Sequence, residues 1–247
     1  MTSKRAGSTA RRTFVLIHGA WHGGWCWREV ADILQAKGHK VFTPTLTGLA
    51  DRSHLLSRTV DLDTHIADVV NLFRWEEIED AVLVGHSYGG WPISGAVEKI
   101  GGQVASIVYL DAFVPNNGDS GVRLAAPAFR KSLEDALAAG DVGRAPPPAE
   151  AFKILDPAKA AWVQSRMTPQ PTGVSVQPIA LTGARERIAR KTYIRTPSFP
   201  NPHFDAYLAR AEADPTWRTY VLEGHVAGHD MMIDAPLRLA KILEEVA

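Results

Sequence analysis

One serine stands in a setting that could make it a nucleophile. Gly85-His86-Ser87-Tyr88-Gly89 follows the apolar run Ala81-Val82-Leu83-Val84 and precedes a helix-like segment through Lys99. A strand, a tight turn and a helix in that order lift a serine hydroxyl above a sheet edge and aim backbone N–H groups at the same space. The glycines belong to the chemistry, because side chains at 85 and 89 would collide with neighbouring backbone. A hydroxyl attacks only when a base takes its proton. Nine histidines are available, and two stand close together near the C-terminus, in Gly224-His225-Val226-Ala227-Gly228-His229-Asp230-Met231-Met232. His229 is preferred, since it directly precedes Asp230-Met231-Met232-Ile233 and the last helical stripe; His225 reads as a surface or packing residue. The oxyanion that such an attack creates needs donors. Tyr88 N–H is one, and Ala20 N–H, in the glycine-rich loop His18-Gly19-Ala20-Trp21-His22-Gly23-Gly24-Trp25, is the expected second. His18 reads as structural. Trp21, His22, Trp91 and Trp162 are the expected substrate contacts.

These residues need a scaffold, and the hydrophobic pattern supplies one. Short β-branched runs at Thr13–Ile17, Lys40–Pro44, Ala81–Gly85, Val104–Leu110, Lys191–Thr196 and Arg218–Leu222 alternate with segments of helical period. That alternation predicts an α/β fold, a mainly parallel sheet of about six strands flanked by helices. Ile66, Val69, Val70 and Phe73 form one helical stripe, Leu239, Ile242, Leu243 and Val246 another, and a shorter stripe from Trp27 to Leu34 stops at Gly38. The stretch between Leu110 and Lys191 breaks the rhythm. It is too long for a plain loop, and Phe129, Phe152, Trp162 and Met167 suit a segment that packs. An inserted helical cap over about 115–190 is expected, within a single domain spanning 13–247 behind a flexible tail at 1–12.

Composition sets limits on partners. The chain has 247 residues, 45% hydrophobic and 22% charged, with 27 basic against 27 acidic side chains. A nucleic-acid binder normally carries a basic surplus, and none is present. No apolar run approaches the ~20 residues of a membrane span, and Thr13–Ile17 is too short for a signal-peptide core. The single cysteine, Cys26, needs no oxidising compartment and reads as a small buried residue. A cytoplasmic protein acting on a small molecule is expected, with a homodimer left open. No Cys/His cluster has zinc spacing, and Gly85–Gly90 lacks the lysine of a phosphate loop, so neither metal nor cofactor is implied. In Thr45–His54, Asp51 and Arg52 could meet a polar substrate group, but such a loop more often binds its own backbone.

Three segments carry a resemblance. Phe14-Val-Leu-Ile-His-Gly-Ala-Trp-His-Gly-Gly-Trp-Cys-Trp27, the elbow Gly85–Gly90, and Ala227-Gly-His-Asp-Met-Met-Ile-Asp-Ala-Pro236 resemble the α/β-hydrolases. The similar subgroup holds small methylesterases, hydroxynitrile lyases and bacterial carboxylesterases. The resemblance runs from Arg12 to the C-terminus and is weakest in the cap. It implies a serine hydrolase acting on a small ester through an acyl-enzyme. It also permits a hydroxynitrile lyase, a C–C or amide hydrolase, or a receptor-like ligand-binding protein. Against the lyase, those enzymes carry threonine where this chain has Gly19 and lysine where it has Asp230. One departure concerns the triad acid. The subgroup places it just after the strand equivalent to Lys191–Thr196, where Thr196-Pro197-Ser198-Phe199-Pro200-Asn201-Pro202-His203 has no carboxylate. Asp111, ending the strand expected beside the nucleophile strand, is the substitute. Asp205, read as a helix cap, Asp230 and an uncharged partner are the alternatives.

Overall fold

The computed structural model describes residues 11–125 and 127–247. The strands, in chain order, are β1 (Thr13–Ile17), β2 (Lys40–Phe42), β3 (Ala81–His86), β4 (Val104–Leu110), the two-residue β5 (Gly143–Arg144) and β6 (Gln170–Pro171), β7 (Arg190–Arg195) and β8 (Trp217–Val221). Six of them form one all-parallel sheet in the order β2-β1-β3-β4-β7-β8, and β5 pairs antiparallel with β6. Each expected strand of the sheet is present within two residues. β2 stops at Phe42 rather than at Pro44, a residue with no N–H to continue a ladder.

The helices are α1 (Arg28–Ala36), α2 (Leu62–Trp75), α3 (Gly90–Ile100), α4 (Gly121–Leu124), α5 (Pro127–Ala139), α6 (Pro157–Gln164), α7 (Pro202–Glu212), α8 (Met231–Asp234) and α9 (Pro236–Glu245). They cover both faces of the sheet, and the strands divide their side chains between two cores with period two. Val15, Ile17, Ala81 and Leu83 point to the face covered by Ile66, Val69, Phe73, Ile93, Phe204 and their neighbours. Phe14, Leu16, Val82 and Val84 point to the opposite face, against Val30, Leu34, Leu239, Ile242 and Leu243. Local signals fix the helix ends. Asp61 accepts from Thr64 N at 2.9 Å, and Thr64 returns the bond to Asp61 N, a capping box for α2. Beyond α1, Gly38 takes φ +90°, the left-handed stop its sequence position suggested.

Register places the chemistry. Gly85 pairs with Ile17 on one side and Tyr109 on the other; His86 pairs with Leu110, and Leu110 with Ile194. The next residue on each strand is therefore Ser87, Asp111 and Arg195, side by side where the carboxyl ends of β3, β4 and β7 emerge. Between β4 and β7, the chain through α4, α5, the β5–β6 pair and α6 lies against the loops at that same end of the sheet. Trp21 N donates to Gln170 Oε1 at 2.9 Å, Ala50 N to Thr168 Oγ1 at 2.8 Å, and His229 N to Phe152 O at 2.8 Å. Apart from Arg11 and Arg12, the expected tail lies outside the described residues. Among those described, no helix is long and apolar enough to cross a membrane.

Candidate active site

The turn after β3 is strained. Ser87 has φ +51°, left-handed for a residue with a Cβ. Glycines make the turn passable: a Cβ at Gly85 would lie 2.7 Å from Gly89 O, and one at Gly89 2.8 Å from both Ile17 O and His18 O. Ser87 O is held in turn by Phe113 N at 3.1 Å. That bond fixes the plane of the Ser87–Tyr88 peptide and hence the direction of Tyr88 N–H. The tyrosine side chain points away, its hydroxyl 2.9 Å from His65 Nδ1.

His229 lies in the loop after β8, 1% exposed, with Nδ1 2.6 Å from Asp111 Oδ2. With Nδ1 donating to a carboxylate, Nε2 is the nitrogen left to accept a proton. Three phenylalanines enclose the ring: Phe199 stacks at 4.0 Å, Phe152 at 6.0 Å and Phe204 at 6.1 Å between centroids. Asp111 is fully buried at φ +42°. Its second oxygen, Oδ1, accepts from Arg195 Nη1 at 2.6 Å and from Thr196 N at 3.2 Å. Arg195 is itself 2% exposed and spends its remaining donors on Asp205 Oδ1 (2.7 and 3.0 Å), Phe199 O (2.8 Å) and Thr196 O. The sequence reading gave Asp205 to the cap of α7; that cap is Asn201, which accepts from His203 N, and Asp205 turns to the guanidinium instead. His225 is exposed on the same loop as His229.

The other donor peptide is pinned just as firmly. His18 Nε2 accepts from Leu46 N at 3.0 Å, so its proton sits on Nδ1 and is donated to Gly19 O at 2.8 Å. Burial drives this histidine down to about 3, keeping it neutral. Gly19 O and Ala20 N–H belong to one trans peptide, so anchoring the carbonyl aims the N–H the opposite way. Trp21 follows at φ +64°, its backbone held by Gln170 Oε1 and Thr168 N.

Residues 14–242 of this chain match the alpha/beta hydrolase family. The chain is an α/β-hydrolase. It is 38% identical over 239 residues to the carbendazim hydrolyzing esterase of Nocardioides sp. (strain SG-4G), covering 93% of this chain and 97% of that one. It is 34% identical over 121 residues to methylesterase 1 of Arabidopsis thaliana, a match spanning 44% and 43% of the two chains. Among solved structures, an extracellular α/β-hydrolase from a Paenibacillus species superposes with TM-score 0.81 at 23% identity, over 96% of this chain and 99% of that one. A pyrethroid hydrolase from Sphingobium faniae JZ-2 gives 0.69 at 21%, over 96% and 97%. At such identities the two structures show the shared fold.

Behind the first row of residues the hydrolase carries a second, buried layer. His22 Nε2 lies 3.0 Å from Asp230 Oδ2 and its Nδ1 2.7 Å from Ala20 O, with the two side chains 1% and 0% exposed. Burial opposes charge on either group, but the attraction between them prevails: His22 is raised above its ordinary value, and Asp230 falls to about 2. His86 lies beside them. It donates from Nε2 to His229 O at 3.1 Å, and burial, followed by the neighbouring His229, holds it well below the usual histidine range. His86, His229 and Asp230 bring ligand-type atoms within 4.8 Å of one another. Asp111 and His22 already engage His229 and Asp230, so the cluster is better matched to hydrogen bonds than to an ion.

The four expected substrate contacts differ in setting. His22 is buried in that layer, and Trp91 is 3% exposed, packed against Phe113. Trp21 is half-buried, its ring between Phe152 and the Arg144 guanidinium. Trp162 on α6 packs edge-on against Trp25 at 5.0 Å. Arg52 holds its own loop through Thr45 O and Asp68. Cys26 is buried, and burial pushes its thiol well up, which leaves it a packing residue. A groove of about 670 Å³ along α6, bordered by Lys153, Leu155 and Ser198, has neither Ser87 nor His229 in its lining. Arg195, Phe199 and Phe204 are the residues around the histidine that sequence reasoning did not name as site residues, and Phe152 it named only among the cap aromatics. An arginine ending a strand otherwise buried on both faces was the available signal for the first.

Proposed function

We propose that this hydrolase is a cofactor-independent carboxylesterase acting through an acyl-enzyme on Ser87. The observation that carries the reading is the 2.6 Å contact between His229 Nδ1 and Asp111 at the sheet edge from which Ser87 emerges. Ser87 Oγ attacks the ester carbonyl while His229 Nε2 takes its proton, and Asp111 stabilises the imidazolium so formed. Ala20 and Tyr88 N–H receive the developing oxyanion; removing one such donor typically costs about 3–4 kcal/mol of barrier. Collapse of the tetrahedral species expels the alcohol with the proton from His229. Water, activated by the same nitrogen, then releases the acid and frees Ser87. The segment over 115–190 acts as the cap. Its Phe152, with Phe199 from the loop after β7, favours a small apolar or aromatic ester, in keeping with relatives named for carbendazim and methyl esters.

Gly19 argues against the lyase alternative. A Cβ there would sit 2.9 Å from His86 Nδ1 and 3.1 Å from Ser87 Cβ, so the threonine of the hydroxynitrile lyases has no room without displacing the nucleophile turn. Asp230 is a weaker argument than the sequence suggested, since His22 neutralises it. A panel of p-nitrophenyl esters of increasing acyl length, run beside mandelonitrile and an anilide, tests the reading. Ser87-dependent turnover of short or aromatic esters is expected. Cyanide release or anilide cleavage at a matching rate would overturn it.

A further inference from the structure

The buried pair behind the site has a feature that hydrogen bonding alone decides. Both ring nitrogens of His22 face acceptors, Ala20 O at 2.7 Å and Asp230 Oδ2 at 3.0 Å. A neutral imidazole has one N–H and could satisfy only one of them; two donors require the imidazolium. The two acceptors belong to different halves of the machinery. Ala20 lies in the loop that supplies an oxyanion donor, and Asp230 follows His229 directly. We infer that His22 is a positioning residue, an imidazolium strut that ties the oxyanion loop to the histidine loop, and that catalysis declines when the strut loses its proton.

This rests on the esterase reading only for its kinetic consequence; the protonation state stands without it. The groups facing His22 are few. Asp230 is its only anionic neighbour among the described contacts. His86 lies edge-on at 6.4 Å with its Nε2 3.8 Å from Asp230 Oδ1, and His229 stands behind His86. His18 is held neutral, and Cys26, near Asp230, is held as a thiol. Trp25 stacks on the ring at 5.2 Å, and Phe152 meets it edge-on at 5.3 Å, so water has little access. The sign follows. Asp230 loses its charge only as pH falls through about 2, while His22, raised from 6.5, loses its proton as pH climbs through its higher value. The strut is whole from mildly acid to neutral pH and fails on the alkaline side.

Asp230→Asn removes the anion and leaves His22 buried without a counter-charge, which favours the neutral ring. The alkaline limb of its kcat profile is expected to move to lower pH by at least about one unit. At pH 8 the activity should fall by up to about 10²-fold, the scale of a displaced oxyanion donor, with much of it retained at pH 6. A merely structural role would lower the whole profile without moving the limb, and that result would overturn the proposal. The second arm uses wild-type protein alone and needs neither the variant nor ester turnover. In ¹⁵N-resolved NMR at pH 7, His22 should show both ring nitrogens protonated. One protonated nitrogen there would end the strut, whatever the enzyme hydrolyses.

Discussion

Replacing Asp111 by asparagine isolates one function of the site, because the structure dictates which way the amide must face. Oδ1 of the native carboxylate accepts from two donors, Arg195 Nη1 at 2.6 Å and Thr196 N at 3.2 Å, and Oδ2 meets His229 Nδ1 at 2.6 Å. In Asp111→Asn the amide oxygen must stay toward Arg195 and Thr196, since turning the NH₂ that way would oppose donor to donor inside a fully buried site. The NH₂ group is then forced onto His229 Nδ1, which becomes the acceptor. The ring proton moves to Nε2, the nitrogen that should take the serine proton. In another serine hydrolase the same change lowers kcat about 10⁴-fold, equivalent to about 5.4 kcal/mol at about 1.36 kcal/mol per decade. A comparable loss is expected at neutral pH, with KM little changed because Asp111 lies behind the histidine. The double variant Asp111→Asn/Arg195→Gln sharpens the argument. It removes the stronger of the two native donors and leaves Thr196 N–H, at 3.2 Å, as the only native donor on the amide oxygen, so the orientation is held less firmly and part of the lost rate should return. Steady-state kinetics on the best p-nitrophenyl ester, with a thermal melt of each variant, measure both effects. A single variant within tenfold of wild type would refute the tautomer argument, and so would a double variant no faster than the single one.

Arg195→Gln alone leaves Asp111 with two donors but no cation. Breaking a buried ion pair by removing one partner costs about 3–5 kcal/mol, so the melting temperature should drop by about 10 °C; an unchanged melt would contradict the clamp. His18→Ala frees the Gly19–Ala20 peptide, and kcat should fall up to about 10²-fold with KM nearly constant; full activity would show that the peptide is held by other means. Gly19→Thr should cut ester turnover at least about tenfold by crowding His86 and Ser87, and mandelonitrile cleavage appearing in this variant would undo the steric argument against the lyase.

Much of this was legible in the sequence because the signals are local. The six sheet strands are short β-branched runs, the stripes on α2 and α9 repeat at helical spacing, and the glycines around Ser87 announce a turn that only they permit. Asp111 was named beside His229 through the resemblance, which puts an acid after the strand that Thr196–His203 follows, where no carboxylate stands; Asp205 and Asp230 remained rivals until the pairing with His229 Nδ1 was seen. What could not be read is what three-dimensional pairing decides. Arg195 gains its meaning from parallel register, which sets it one row beyond Leu110 and Ile194 beside Asp111. His22 and Asp230 stand far apart in the chain, and nothing in either motif says that they meet. Both had been given other roles, a substrate contact and a cyanide-repelling charge, because a titratable residue in a motif looks available until its partner is known. Trp91 is a related case: the sequence does not say which way an aromatic just after the elbow points, and helix α3 turns it toward Phe113.

Every step of the proposed reaction passes through Ser87 as the acylated nucleophile. Intact-protein mass spectrometry after reaction with a fluorophosphonate tests it most directly. One adduct per chain is expected in the wild type, mapped by peptide sequencing to Ser87, with none in Ser87→Ala and markedly slowed labelling in His229→Ala. An adduct of equal yield in Ser87→Ala, or a wild-type chain left unlabelled while it still turns over esters, would contradict it.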